Sequence, residues 1–130
     1  MQIYYFSRTG RSKGIADQLA SRYHTTARMI DDHRNWKGKV NYIKAGAMAC
    51  SGKAIPADYM KPDMTDKIIA VFPLWAGTMP PAVRTFVQAV GKENITAIIT
   101  SLGSKLKQRD GFKKIIDLVG RDITVPDIVE

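Results

Sequence analysis

Apolar runs that alternate with amphipathic segments predict an α/β domain built on an open parallel sheet. Three observations carry the prediction. Ile68-Ile69-Ala70-Val71-Phe72 is a continuous apolar run of the kind that suits a strand covered on both faces, and Ile95 to Ser101 repeats the strand pattern. Between the runs lie segments whose apolar residues recur at helical spacing. The first short run, Ile3-Tyr4-Tyr5-Phe6, ends in a turn rich in hydroxyl groups and glycine that feeds a helix, the usual strand-to-helix passage of such domains.

The elements follow in order. Residues 2–6 read as the first strand. Ile15, Ala16, Leu19, Ala20 and Tyr23 keep one helical face apolar, which predicts a helix from about Ser12 to Tyr23. Residues 25–30 form a weak second strand, and 31–39 a polar connection. Ile43, Ala47, Met48 and Cys50 fit a helix over 41–51 only loosely, with Gly46 lowering its propensity. Gly52 and Pro56 end it, and 57–66 reads as a surface loop leading inward. The third strand, 68–72, stops at Pro73. Pro80 and Pro81 suit a first helical turn, Val83, Phe86, Val87 and Val90 write the buried face, and Gly91 closes it. The fourth strand is 95–101, followed by a basic loop over 102–110. Phe112, Ile115, Ile116 and Val119 share a helical face and predict a last helix closed by Gly120. A short edge strand is expected within 123–129, where Pro126 limits its pairing.

Composition bounds the function. With 130 residues, 45% hydrophobic and 25% charged, the chain fits one globular domain over 1–130, close to the usual ~100–150 residues. No apolar run approaches the ~20 residues of a membrane span, and 3–6 is too short for a signal-peptide core, so a cytoplasmic protein is expected. One cysteine, Cys50, permits no internal disulfide and offers no zinc cluster; a small buried apolar role suits it better than a nucleophile. His24 and His33 lie in polar surroundings without ligand spacing and are assigned to solvent. Carboxylates are scattered, so no paired acid and base, and hence no catalytic residue, stands out. Tyr4, Tyr5 and Phe6 belong to strand packing.

Twenty Lys and Arg against twelve Asp and Glu give a formal charge of +8. The excess implies an anionic partner, whether a cofactor, an acidic protein or nucleic acid. The basic residues are spread along the chain, and aromatics are not interleaved with them as single-strand binders require, which disfavours nucleic acid.

The turn Ser7-Arg8-Thr9-Gly10-Arg11-Ser12 carries the most chemistry. Backbone N–H groups of a turn, the dipole at a helix N-terminus and three hydroxyls make an anion site, to which Arg8 and Arg11 add charge. The same residue types also serve as ordinary turn and cap residues. The spacing is neither that of the nucleoside triphosphate loop nor that of the dinucleotide fingerprint. In an open α/β sheet, ligands sit beyond the carboxyl ends of the strands. Three strands here end in suitable loops, 7–12, 73–78 and 101–105, and all converge on that edge.

With those residues in view, the chain resembles the flavodoxin-like family. Ser7, Thr9, Gly10 and Ser12 match its Thr/Ser-x-Thr-Gly-x-Thr/Ser loop for the phosphate of flavin mononucleotide (FMN). Residues 72–86, Phe-Pro-Leu-Trp-Ala-Gly-Thr-Met-Pro-Pro-Ala-Val-Arg-Thr-Phe, resemble the Pro-x-Trp-x-Gly-x-x-Pro-Pro-x-Val-x-x-Phe segment of short bacterial members. The resemblance implies a 2-1-3-4-5 sheet flanked by helices, shortened here in its last strand and helix. It implies FMN held at the phosphate by Ser7, Arg8, Thr9, Gly10, Arg11 and Ser12. The isoalloxazine ring would be bordered by Pro73, Leu74, Trp75, Ala76, Gly77 and Thr78 and by Ser101, Leu102, Gly103 and Ser104. Trp75 would stack on the ring, shield it, or simply pack. A Gly77 peptide beside the flavin would turn its carbonyl toward the reduced N5. The implied role is electron transfer or simple flavin-dependent reduction, with a redox partner protein of acidic character and a homodimer covering any open sheet face. The alternative is a non-redox binding module that uses the same fold and its basic surface. Typical electron-carrying members are acidic and bring acidic residues to the third loop, whereas this chain places Lys105, Lys107 and Arg109 there.

Overall fold

The computed structural model describes residues 1–34, 43, 44, 47, 55–107, 109–120 and 125. Five strands lie parallel in one sheet: β1 (Gln2–Tyr5), β2 (Ala27–Met29), β3 (Ile68–Pro73), β4 (Ile95–Ser101) and β5 (Lys114–Val119), in the order β2-β1-β3-β4-β5. Helix α1 (Arg11–Arg22) follows β1, and α2 (Pro81–Val90) with a 3-10 turn (Lys92–Asn94) follows β3. The chain leaves β1 toward one edge and later returns to β3 on its other side. Strand order therefore reverses between β1 and β3, which opens a crevice at their carboxyl ends.

Both faces of the sheet are covered, so the central strands need apolar residues at successive positions. On one face, Ile3, Tyr5, Ile69, Val71 and Ile98 meet Ile15, Ala16, Leu19 and Ala20 of α1. On the other, Tyr4, Ala70, Phe72, Ala97 and Ile99 meet Ala82, Val83, Phe86 and Val87 of α2. Every residue of β4 is buried. Burying a large aliphatic or aromatic side chain in this way contributes about 1.5–3 kcal/mol.

The helix ends follow from local chemistry. Gly10, at φ +94°, takes the left-handed conformation from which α1 starts. At the other end Thr25 N–H donates to the Ala20 carbonyl at 2.9 Å and His24 N–H to that of Ser21 at 3.4 Å. This is a Schellman closure with histidine, at φ 54°, where glycine is usual. Pro80 and Pro81 open α2 as expected, with Pro81 in the first turn.

One expectation is overturned. Residues 112–120 form no helix; 114–119 are β5, paired from Thr96↔Lys114 to Ser101↔Val119. Phe112, Ile115, Ile116 and Val119 satisfy helical spacing by coincidence, and Leu118 lies off that face. Ile116 and Leu118 alternate toward the α1 face while Ile115 packs on the other, the period of a strand. Adjacent β-branched Ile115 and Ile116 favour it further, and the open edge of β4 supplies the backbone partners. The fifth strand is therefore β5 itself, six residues long, rather than a short piece of the 123–129 tail. The edge strand expected at 123–129 falls outside the described residues except for Val125, which is buried in the α1-side core. The helix expected over 41–51 is described only at Ile43, Lys44 and Ala47, which are helical and exposed. Cys50 lies outside the described residues.

The 55–66 segment lies over the α2 side without forming a strand or helix. Gln2 bonds the Asp63 backbone both ways at 2.7 and 2.8 Å, and Tyr4 Oη donates to the Met60 carbonyl at 2.6 Å. Tyr59 meets Phe86 edge-on at 4.9 Å. Asp31 and Asp58 exchange backbone bonds at 2.8 and 2.7 Å, and His33 pairs with both carboxylates. His33 is thus exposed, as expected, yet partnered.

The hydrogen bond to Asp58, then the charge of Asp31, raises the His33 pKa above its ordinary 6.5. A group whose folded pKa lies above the unfolded one stabilises fully below the unfolded value, and the gain is lost as pH rises through the folded value. Solvent screening keeps it small. Proton NMR should find the His33 midpoint above 6.5 and lower in Asp58→Asn; an unmoved midpoint would disprove the pairing.

Candidate functional site

The carboxyl ends of β1, β3 and β4 surround a cleft of about 710 Å³, within the size of small-molecule sites. Of the sequence-predicted residues, Ser7, Arg8, Thr9, Arg11 and Ser12 line it from the first loop. Pro73, Leu74, Trp75, Ala76 and Gly77 line it from the second, and Ser101, Leu102 and Ser104 from the third. Gly10, Thr78 and Gly103 shape the same loops without lining the cleft.

The first loop is organised by its own hydroxyl groups. Ser7 Oγ accepts the Gly10 N–H at 2.9 Å and closes the turn, leaving the hydroxyl proton free to donate. No side chain caps α1, and its first turn carries no acidic residue. The N-terminus of a helix left in this state offers its dipole and N–H groups to an anion. Ser12, buried beneath the turn, meets Thr100 Oγ1 at 3.0 Å and so joins α1 to the end of β4. Arg11 turns its guanidinium toward the carbonyls of Ser101 and Gly120.

The second loop is a tight reversal in which Trp75 and Thr78 exchange backbone bonds at 2.9 and 3.0 Å. Its two central residues, Ala76 at φ 52° and Gly77 at φ 76°, both lie in the left-handed region, as a type I′ turn requires. A Cβ on Gly77 would stand 3.3 Å from Lys107 Cε, and the Gly77 carbonyl accepts the Lys107 N–H at 3.0 Å. Trp75 is 6% exposed and packs at 5.3 Å against Phe6 in an edge arrangement, which fixes this wall of the cleft to the core.

Sequence reading missed one lining residue, Thr100, and placed Lys105 and Lys107 in the third loop without naming them as cofactor contacts. The signal for Thr100 is a polar residue ending a buried apolar strand. The signal for the lysines is the alternation Lys105-Leu106-Lys107, in which Leu106 is buried and its two neighbours are exposed along the cleft. All four ionisable lining residues, Arg8, Arg11, Lys105 and Lys107, are cationic, and no described carboxylate lines the cleft. Among the described residues no group of three metal-ligating side chains occurs, and no helix is long and apolar enough to cross a membrane.

Fold and cleft together define an α/β protein of the flavodoxin-like fold, with a hydroxyl-bearing, cation-lined turn at the point where strand order reverses. No protein-family model matches the chain, and no curated protein is detectably similar to it. Solved structures do match. A flavoprotein from Lactobacillus acidophilus NCFM, crystallised in complex with FMN, superposes with a TM-score of 0.67 at 18% identity, covering 89% of each chain. A candidate flavoprotein from Bacteroides uniformis ATCC 8492 gives 0.71 at 19% identity over 93% of this chain and 90% of that one. Another from Bacteroides eggerthii DSM 20697 gives 0.71 at 17% over 94% and 89%.

Proposed function

We propose that the chain binds FMN non-covalently and serves as a redox protein, as an electron carrier or a simple flavin-dependent reductase. The observation that carries this reading is the two kinds of lining that the loops bring to one cleft. The first loop offers Ser7, Thr9 and an uncapped helix N-terminus for a phosphate, and the second and third offer Pro73, Leu74 and Leu102 for an apolar ring. The residues fit FMN, which joins a doubly charged anion to a flat aromatic system. A neighbour of the same fold crystallised with FMN supports the choice of ligand.

In this reading, the turn residues hold the phosphate, the Trp75–Thr78 reversal and the 101–104 loop border the ring, and the buried walls exclude water. Flavin, when bound, supplies the reversible acceptance of electrons. Arg8, Lys105 and Lys107 at the cleft favour an anionic redox partner, such as an acidic protein, over a cationic one. The lone cysteine accords with a cytoplasmic setting.

Titrating the purified protein with FMN tests the reading. One equivalent should quench the flavin fluorescence, give a structured absorption band and bleach on chemical reduction. A protein that leaves FMN free, yet binds an acidic protein, would instead be the non-redox binding module.

A further inference from the structure

The side chain of Arg11 reaches away from the turn to which it belongs. Its Nη1 and Nη2 lie 3.3 and 3.4 Å from the Ser101 carbonyl, and Nη2 also donates to the Gly120 carbonyl. The same Ser101 carbonyl accepts the Gly120 N–H at 2.9 Å. The start of α1 and the ends of β4 and β5 therefore meet in one knot, with the buried Ser12–Thr100 bond beside it. Arg11 Nε is buried and unpaired, and no described carboxylate neutralises the guanidinium.

We propose that Arg11 is a positioning residue for the anion-binding turn. It clamps the turn onto the ends of β4 and β5, so the backbone donors at the start of α1 are held in place for a phosphate. It does not itself grip that phosphate. The inference rests on the reading of residues 7–12 as the phosphate end of the cleft. A planar guanidinium spans two carbonyls at once because its donors form a rigid fork, and turning the fork to a phosphate would take the described partner from the Gly120 carbonyl and leave that of Ser101 with the Gly120 N–H alone. A lysine carries the same charge on a single nitrogen, one atom short of Nη1 and Nη2, and lacks the planar fork that holds two carbonyls in fixed geometry. The anion site is thereby made dependent on β5, a strand that contributes no lining residue of its own.

Arg11→Lys and Arg11→Gln, compared with the wild type in the full chain, separate clamping from charge. Calorimetric titrations with FMN and riboflavin at low and high salt provide the first readout. Hydrogen exchange of the ligand-free proteins at the hydrogen-bonded amides of the two segments, Gly10 and Gly14 in one and Gly120 in the other, provides the second. Both substitutions should weaken FMN by a similar factor, about ten- to a hundredfold, the loss expected for hydrogen bonds to a charged group. Riboflavin binding should change little, the salt dependence of FMN binding should stay that of the wild type, and exchange in both segments should quicken. Wild-type affinity in Arg11→Lys, or a flattened salt dependence in Arg11→Gln, would overturn the proposal by showing that Arg11 acts through its charge. Equal losses for FMN and riboflavin would reduce it to a general support of the fold. If the wild type itself ignores FMN, the proposed function falls, and the clamp is then decided by exchange alone: unchanged protection at Gly10 and Gly14 in Arg11→Lys overturns it.

Discussion

Phe86→Ala should lower the unfolding free energy by about 3–5 kcal/mol, the range for truncating a fully buried phenylalanine. Phe86 is 0% exposed at the centre of the face that α2 turns to the sheet. Its ring meets Tyr4 at 4.8 Å and Tyr59 at 4.9 Å, so one side chain joins the helix, the first strand and the 55–66 segment. Removal leaves a cavity that three separate elements would have to move to fill. It also loosens the wall against which Tyr59 holds its segment. A domain of this size has a total stability of roughly 5–15 kcal/mol, so a melting point lower by on the order of 10 °C is expected. Phe86→Leu, which keeps most of the volume, should cost much less. Urea denaturation measures both, and a loss under about 1 kcal/mol for Phe86→Ala would mean that α2 does not pack on the sheet as described.

The elements most legible in the sequence are those whose pattern is decided locally. β3 is a continuous apolar run, β4 a run of mostly β-branched residues, and α2 carries a proline start, a clean helical face and a glycine stop; all three form where expected. So do β1, α1 and the short β2. β5 was not legible because a six-residue strand containing four apolar residues can mimic a helical face. The decision between the two belongs to the open edge of β4, which the local sequence does not display. Leu118, buried yet outside that helical face, is the residue that the strand accounts for and a helix would not.

The candidate site divides along the same line. Its three loops are readable because each follows a strand, and an α/β sheet brings strand ends together. What the side chains do within them is less readable. Ser7 closes its own turn by accepting the Gly10 N–H, Ser12 is committed to Thr100, and Arg11 is committed to carbonyls about 90 and 109 positions away in the chain. Such partners are set by the meeting of strand ends, not by spacing. Thr100 escaped notice for the same reason: within its strand it reads as one more β-former, and only the approach of α1 gives its hydroxyl a task.

That difference between a committed hydroxyl and an available one shapes the expected behaviour of the turn itself. Thr9 is exposed and lines the cleft, so Thr9→Val should weaken FMN binding by about ten- to a hundredfold, the cost of a lost hydrogen bond to a charged group, with the melting point unchanged. Ser12 is buried and bonded to Thr100, so Ser12→Ala also strands the Thr100 hydroxyl and should lower the unfolding free energy by about 1–3 kcal/mol. Together the two substitutions should cost FMN about a hundred- to a thousandfold, while riboflavin, which lacks the phosphate, changes little. The comparison of ligands is what makes the test specific. A turn that merely shapes the cleft would lower both affinities alike, and equal losses would remove residues 7–12 from phosphate recognition. A selective loss would make the phosphate the reason for two hydroxyls and an uncapped helix at this strand end, with Ser12 answering at once to the ligand above it and to the core below.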